Sequence, residues 1–313
     1  MESLEAEAQR LLEASLAKSS LITYKRGIND FQVFRDKLGL GADWPAQSQH
    51  IVAYIAQLSI EGKAPSTIET HVAALAYIHK INGWGDPTDN FVIRKLKEGC
   101  RRQNRQADIR RPITLTILSQ LVGSLPVLCS SSYEACLFKA AFTMAFFGFL
   151  RVGEFTTVSK QGSWDNILSP SDVIISGKPA IIEMNIRSSK TDQRGVGTTL
   201  QIEQGPNLDV CPVVALSSYL RIRPSRDGPL FIHFGGDPLT RYQFSILLKK
   251  GVKAVGLLPA EFSPHSFRIG AATTAAMSGL PMDKIMEMGR WRSSAMKLYI
   301  RPSRVVSPKS WVL

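Results

Sequence analysis

The stretch Ser263-Pro264-His265-Ser266-Phe267-Arg268-Ile269-Gly270-Ala271-Ala272 reads as the opening of a helix. Serine before proline is a strong start signal, with Ser263 as the cap and Pro264 in the first turn. His265 and Arg268 stand three apart, so they project from one face of that turn. The turn also has unpaired N–H groups and the positive end of the helix dipole. A histidine, an arginine and a helix N-terminus together favour a phosphate. The small side chains that follow, Gly270 to Ala276, suit close packing. Taken alone, H-x-x-R at a helix start is more often structural than functional.

Three further elements flank it. Upstream, Phe146-Phe147-Gly148-Phe149-Leu150-Arg151-Val152-Gly153-Glu154 ends an apolar helix on an arginine. Such an arginine keeps its head in water, finds a partner or serves a site. Glu154, three residues on, is placed to hold it; the plainer reading is a cation at the negative end of a helix dipole. Between them, Arg187-Ser188-Ser189-Lys190-Thr191-Asp192-Gln193-Arg194-Gly195 links two β-prone runs. A lysine on a hairpin can swing to deliver a proton, although many hairpin lysines only protect an edge strand. Downstream comes Gly289-Arg290-Trp291-Arg292-Ser293-Ser294-Ala295-Met296-Lys297-Leu298-Tyr299. Here Gly289 is expected to end the helix Met282 to Met288, and Ser293 or Ser294 to cap a short one carrying Tyr299. A tyrosine is ordinarily a core or interface residue.

In order and spacing, the four elements together resemble the active site of the tyrosine recombinases, or phage-type integrases. That family places an arginine, a carboxylate three residues later, a hairpin lysine, His-x-x-Arg, and a histidine or tryptophan shortly before a nucleophilic tyrosine. Here the corresponding residues are Arg151, Glu154, Lys190, His265, Arg268, Trp291 and Tyr299. The wording S-K-T-D-Q and G-R-W-R-S is most similar to recombinases of eukaryotic DIRS and Ngaro retroelements. One departure stands out: Trp291 precedes Tyr299 by eight residues, one fewer than the family's spacing.

The resemblance implies a site-specific DNA recombinase acting by transesterification. Tyr299 attacks a phosphate, releases a 5′-hydroxyl and remains as a 3′-phosphotyrosyl ester. Bond energy is kept in that ester, so neither ATP, metal nor any other cofactor is called for. Arg151 and Arg268 would grip nonbridging oxygens, and Lys190 would protonate the leaving oxygen. His265 would assist proton movement or support the phosphate, Trp291 would pack and donate, and Glu154 would orient its neighbours. The partners implied are double-stranded DNA and further copies of the chain, a dimer on a site and a tetramer when two sites pair. Two rivals share the scaffold: a domesticated DNA-binding protein that no longer cuts, and a type IB topoisomerase-like relaxing enzyme. Erosion of the catalytic set would mark the first, and none is visible.

The rest of the chain agrees with a DNA partner. It has 313 residues, with 38 Lys+Arg against 26 Asp+Glu for a net charge of +12. With 44% hydrophobic and 20% charged residues it is globular, and the positive excess asks for a polyanion. Arg94 to Arg111 alone carries a net +6, whereas residues 1–112 as a whole carry +3. Lys95, Arg101, Arg102, Arg105, Arg110 and Arg111 are candidates for a strap along DNA phosphates. Residues 113–313 supply the remaining +9, as a clamp around duplex DNA would need.

The expected architecture is mainly α with a small antiparallel β-sheet. An acidic segment 1–15 precedes a four-helix core-binding (SAM-like) domain over 16–100, a basic linker over 101–112 and a mixed α+β catalytic domain over 113–313. Helices are expected on Leu21, Tyr24, Ile28, Phe31, Phe34 and Leu38, and from about His50 to Leu58. Two more carry Ile68, Val72, Leu75, Ile78 and Ile81, then Phe91, Val92 and Leu96. Ser19-Ser20 and Ser66 or Thr67 are the expected caps of the first and third. Strands are expected over 173–176, 180–186 and 197–202. The four cysteines make no disulfide framework. The acidic start is unlike a signal peptide, and Phe138 to Leu150 is too short to span a bilayer. No membrane association follows, and the compartment is nuclear in a eukaryote or cytoplasmic in a prokaryote.

Overall fold

The computed structural model describes residues 2–103, 108–187, 197–205 and 207–306. The chain divides into two compact units, Met1–Asp108 and Ile109–Leu313.

The first unit is all helical: α1 (Glu2–Ala14), α2 (Lys18–Lys37), α3 (Ser48–Ile60), α4 (Pro65–Ile81) and α5 (Phe91–Gln103). Its core takes Phe31 and Phe34 from α2, Ile51, Tyr54, Ile55 and Leu58 from α3, and Ile68, Val72 and Leu75 from α4. Of the positions the helical periodicity singles out, Phe31, Phe34, Ile68, Val72 and Leu75 are buried, whereas Leu38 follows the end of α2 and is exposed. The expected start signals differ. Helix α2 begins after Ala17, and α4 begins at Pro65 after Ala64, neither with a side-chain cap. In α4 the preset backbone of proline at the first position does the work assigned to serine. Helix α5 buries Ile93 and Cys100 and leaves Phe91 and Val92 largely exposed. Burial at Ile93, Leu96 and Cys100 fixes one face, so the two preceding residues point away from it, and Lys95 Nζ lies 5.7 Å from the Phe91 ring centroid.

The second unit is built around α7 (Ser132–Phe147). It packs against α6 (Leu115–Leu128), α9 (Pro212–Ile222) and α11 (His265–Met277). Thr114 caps α6 and Ser131 caps α7, each hydroxyl accepting a backbone N–H of the first turn. At the centre Phe142 meets Phe244 of α10 (Arg241–Ala254) at 5.2 Å and Phe267 of α11 at 5.1 Å, centroid to centroid.

The sheet has order β1 (Val173–Ser176), β2 (Ile181–Ile186), β3 (Thr198–Glu203), all antiparallel. Ile182, Met184 and Ile186 face the core, with Met184 opposite Val173 on one side and Leu200 on the other. Period-two alternation therefore set the buried face. The short helices α8 (Val152–Phe155) and α12 (Met282–Gly289) complete the unit, and 3₁₀ turns cover 294–299 and 302–304.

Close approach at one glycine places α11. The segment before α6 crosses the helix so tightly that a Cβ on Gly270 would lie 1.8 Å from the Ile113 carbonyl oxygen. The Ile113 N–H donates to the Ser266 carbonyl at 3.0 Å. The small residues expected to allow packing do so at this crossing. No helix among the described residues is long and apolar enough to cross a membrane.

Candidate active site

Three separate stretches, those of Arg151, His265 and Tyr299, converge in the second unit. Helix α11 starts with His265, and its capping differs from the expectation. The Ser263 N–H donates to the Ser266 hydroxyl at 3.1 Å, while the Ser263 hydroxyl, buried, has no acceptor or donor among the described residues. Ser266 rather than Ser263 therefore supplies the side-chain bond at this turn.

One turn on, Arg268 is fully buried. Its two terminal nitrogens donate to the Phe149 and Gly289 carbonyls, while Nε has no acceptor among the described residues. Burial, reinforced by repulsion from Arg151 and Arg290, pushes its pKa down to about 9.

Tyr299 ends the 3₁₀ turn that Ser293 caps, as expected. Its ring is 4.9 Å from His265 and 4.9 Å from Trp291, centroid to centroid, with the Arg268 guanidinium carbon 5.5 Å away. That guanidinium also lies 4.2 Å over the Trp291 ring. Thr273 of α11 fixes the backbone here, donating to the Tyr299 carbonyl at 3.1 Å and accepting from Arg301 N–H at 3.0 Å. Tyr299 is therefore held beside His265 and Trp291 through its ring and to α11 through its main chain.

Arg151 precedes α8, and Glu154 closes back on it. The Glu154 carboxylate accepts the Arg151 backbone N–H at 2.8 Å and Arg151 Nη1 at 3.2 Å. Glu154 thus holds Arg151 as the sequence implied. It also holds Arg290, whose Nη2 donates to Glu154 Oε2 at 2.8 Å and to the Phe149 carbonyl at 3.2 Å. Burial lowers the Arg290 pKa, and the Glu154 charge opposes that shift.

Arg290 was not among the residues singled out from the sequence. The expectation gave the helix end to Gly289, but Gly289 is the last residue of α12 and Arg290 takes the left-handed cap, with φ +55°. The indole explains the exchange: a Cβ at Gly289 would lie 1.7 Å from Trp291 Cζ3. Glycine is needed there for space rather than for its φ. Among the described residues, Arg290 and Phe149 (φ +47°) are the non-glycines with left-handed backbone. Each such residue costs roughly 1–2 kcal/mol, and here they aim the Phe149 carbonyl and the Arg290 side chain at one centre. The available signal was the spacing. Arg290 stands nine residues before Tyr299 and Trp291 eight.

The arrangement leaves Arg268 Nε, Arg290 Nε and Nη1, and Trp291 Nε1 buried without an acceptor among the described residues. Unpaired buried donors are costly, so their grouping beside a tyrosine marks a place for an anion with several acceptor oxygens.

Lys190 and Arg105 lie outside the described residues. The other strap candidates are not gathered in a loop. Lys95, Arg101 and Arg102 are on α5, where Arg101 pairs with Glu69, and both Lys95 and Arg102 pair with Glu98. Arg111 pairs with Glu261 at 2.6 Å, and the Arg110 carbonyl accepts from Arg301. The pairs on α5 are exposed and screened by solvent, whereas Arg111–Glu261 is half-buried.

Known proteins resemble this chain over most of its length. Residues 183–303 match the model of the phage integrase family. An integrase/recombinase XerD homolog of Selenomonas ruminantium is 27% identical over 94% of this chain and 84% of its own length. Among solved structures, the XerH site-specific recombinase bound to palindromic difH substrate aligns with TM-score 0.65 at 14% identity, covering 91% of this chain and 76% of that one. A lambda integrase dimer bound to a COC′ core site aligns with TM-score 0.63 at 17% identity, covering 100% and 99%. The Tn1549 transposon integrase in complex with circular intermediate DNA gives 0.58 at 14%, covering 97% and 94%.

Proposed function

The chain belongs to the phage integrase family of tyrosine recombinases, and from that membership we propose that it cuts and rejoins duplex DNA at specific sites through Tyr299. The observation that carries this assignment is the packing of Tyr299 against His265, Trp291 and the buried Arg268, beside donors that lack acceptors among the described residues.

In the first step the Tyr299 hydroxyl oxygen bonds to the phosphorus and the bond to the 5′-oxygen breaks. The tyrosine proton passes to His265 or its surroundings, and the leaving oxygen takes a proton to become a 5′-hydroxyl. Lys190 is the proposed donor of that proton. A 5′-hydroxyl from another strand then attacks the 3′-phosphotyrosyl ester and expels Tyr299. One phosphorus–oxygen bond forms for each one broken, so the cycle needs no external energy source. Arg151 and Arg268 supply charged donors to the nonbridging oxygens, where preorganised electrostatics acts most strongly.

Lys95, Arg101, Arg102, Arg105, Arg110 and Arg111 are proposed to bind the phosphate backbone, which positions DNA without specifying its sequence. XerH and lambda integrase are DNA-bound in the structures above, the latter as a dimer. By the same logic this chain is proposed to occupy a site as a dimer and to pair two sites as a tetramer. The corresponding compartment is the nucleus in a eukaryote and the cytoplasm in a prokaryote.

The direct test is to trap covalent adducts on nicked duplexes randomised across the site, digest them and find the modified peptide. A nucleotide on the peptide containing Tyr299 supports the assignment, and a nucleotide on any other residue overturns it.

A further inference from the structure

Glu154 lies among three guanidiniums, those of Arg151, Arg290 and Arg268, the first two of which it bonds directly. Two of these arginines form the phosphate grip. The third, Arg290, is held in a strained left-handed conformation at the end of α12 and is about nine-tenths buried, yet its Nε and Nη1 have no acceptor among the described residues. Arg223, by contrast, bonds four separate carbonyls.

The charges suggest a purpose. Three arginines and one carboxylate leave a net of +2 around Arg268, whose guanidinium faces the Tyr299 ring. A phosphodiester carries one negative charge, and the pentacoordinate species formed by tyrosinate attack carries two. The cluster therefore matches the reacting species better than the substrate, which is the condition for rate enhancement. Without Arg290, the Glu154 carboxylate would cancel one of the two gripping arginines and leave +1.

Resting on the recombinase reading above, we propose that Arg290 is a positioning residue for strand cleavage. It neutralises Glu154, so that the carboxylate can orient Arg151 without consuming the positive charge that Arg151 and Arg268 present to the phosphate.

The test is single-turnover adduct formation on a nicked duplex recovered from the wild-type adducts, with DNA affinity measured in parallel. Arg290→Met is expected to slow cleavage about 10²-fold, the scale of losing one electrostatic contributor, with affinity nearly unchanged. Arg290→Lys, which keeps the charge, is expected to stay within about tenfold of wild type. The decisive variant is Glu154→Gln/Arg290→Met, which restores the net of +2 and is expected to cleave at least about tenfold faster than Arg290→Met alone. Three results would overturn the proposal: wild-type cleavage by Arg290→Met, a double variant no faster than that single one, or an Arg290→Lys that binds DNA but cleaves as poorly as the methionine variant. Because the lysine variant keeps the charge, it decides the matter even if the methionine variants do not fold. Absence of any adduct with the wild-type chain would instead strike at the recombinase reading itself.

Discussion

The Arg268 guanidinium lies 4.2 Å over the Trp291 ring, and each of the two side chains keeps a buried N–H without an acceptor among the described residues, Nε on one and Nε1 on the other. Stacking an arginine on an indole holds its plane fixed while leaving an edge free to donate. Two backbone carbonyls, those of Phe149 and Gly289, take the other edge. The result is a fixed guanidinium beside Tyr299, placed to receive a phosphate on the proposed reading.

That burial has a pH signature. Arg268 is lowered from its ordinary 12.5 to about 9, so the cost of burying its charge is present in full below about pH 9. Above that value the folded chain releases the proton while the unfolded chain still holds it. The electrostatic cost of folding is then relieved and the phosphate grip is lost. Cleavage should therefore decline above about pH 9. A lysine in the same place starts from about 10.4, so Arg268→Lys should move the decline to lower pH. A single-turnover pH profile of both proteins checks this, and superimposed alkaline limbs would count against it.

The indole is admitted by the absence of a side chain at Gly289. Gly289→Ala places a Cβ 1.7 Å from Trp291 Cζ3, so the ring must move. Overpacking of this kind costs about 1–3 kcal/mol, and the displaced ring would no longer support Arg268 or Tyr299. Thermal melting should show the lost stability, and cleavage at a temperature where the variant is folded should fall as well. A variant that melts lower but cleaves normally would separate packing from catalysis.

How much of this was legible in the sequence depends on what sets each feature. The helices of the first unit follow from one-sided burial, which leaves a 3.6-residue trace through Phe31, Phe34, Ile68, Val72 and Leu75. The alternation at Ile182, Met184 and Ile186 gives the sheet in the same way. Arg151, Glu154, His265, Arg268, Trp291 and Tyr299 were recognisable as a set, and they do come together. Arg290 was hidden because a cation after a helix-ending glycine has an ordinary explanation in the helix dipole. Only the three-dimensional crowding of Gly289 by the indole shows that arginine, not glycine, turns the chain. The cap expected at Ser263 differs as well. The Ser263 hydroxyl makes no bond among the described residues, and Ser266, inside the first turn, accepts the Ser263 N–H instead.

The basic face of α5 should govern affinity rather than chemistry. Replacing Lys95, Arg101 and Arg102 with alanine should weaken DNA binding at low salt. The salt dependence should flatten too, by roughly one unit of slope for each phosphate no longer neutralised. Cleavage at saturating protein should be unchanged. Fluorescence anisotropy across a salt series provides the check, and an unaltered slope would remove these residues from the interface.

Paired-site recombination separates this chain from a relaxing enzyme with the same chemistry. Two recovered sites on one plasmid should yield deletion or inversion products, and supercoil relaxation of a plasmid lacking the site should be negligible. Relaxation without site preference would favour the topoisomerase-like reading.

The central claim is that Tyr299 becomes joined to DNA. The most direct measurement is the yield of covalent protein–DNA adduct on a nicked suicide substrate, compared between the wild-type chain and Tyr299→Phe at matched DNA occupancy. Deleting one hydroxyl from a half-buried ring should leave folding and DNA binding nearly intact and reduce the adduct to background. An undiminished adduct from Tyr299→Phe would contradict the account.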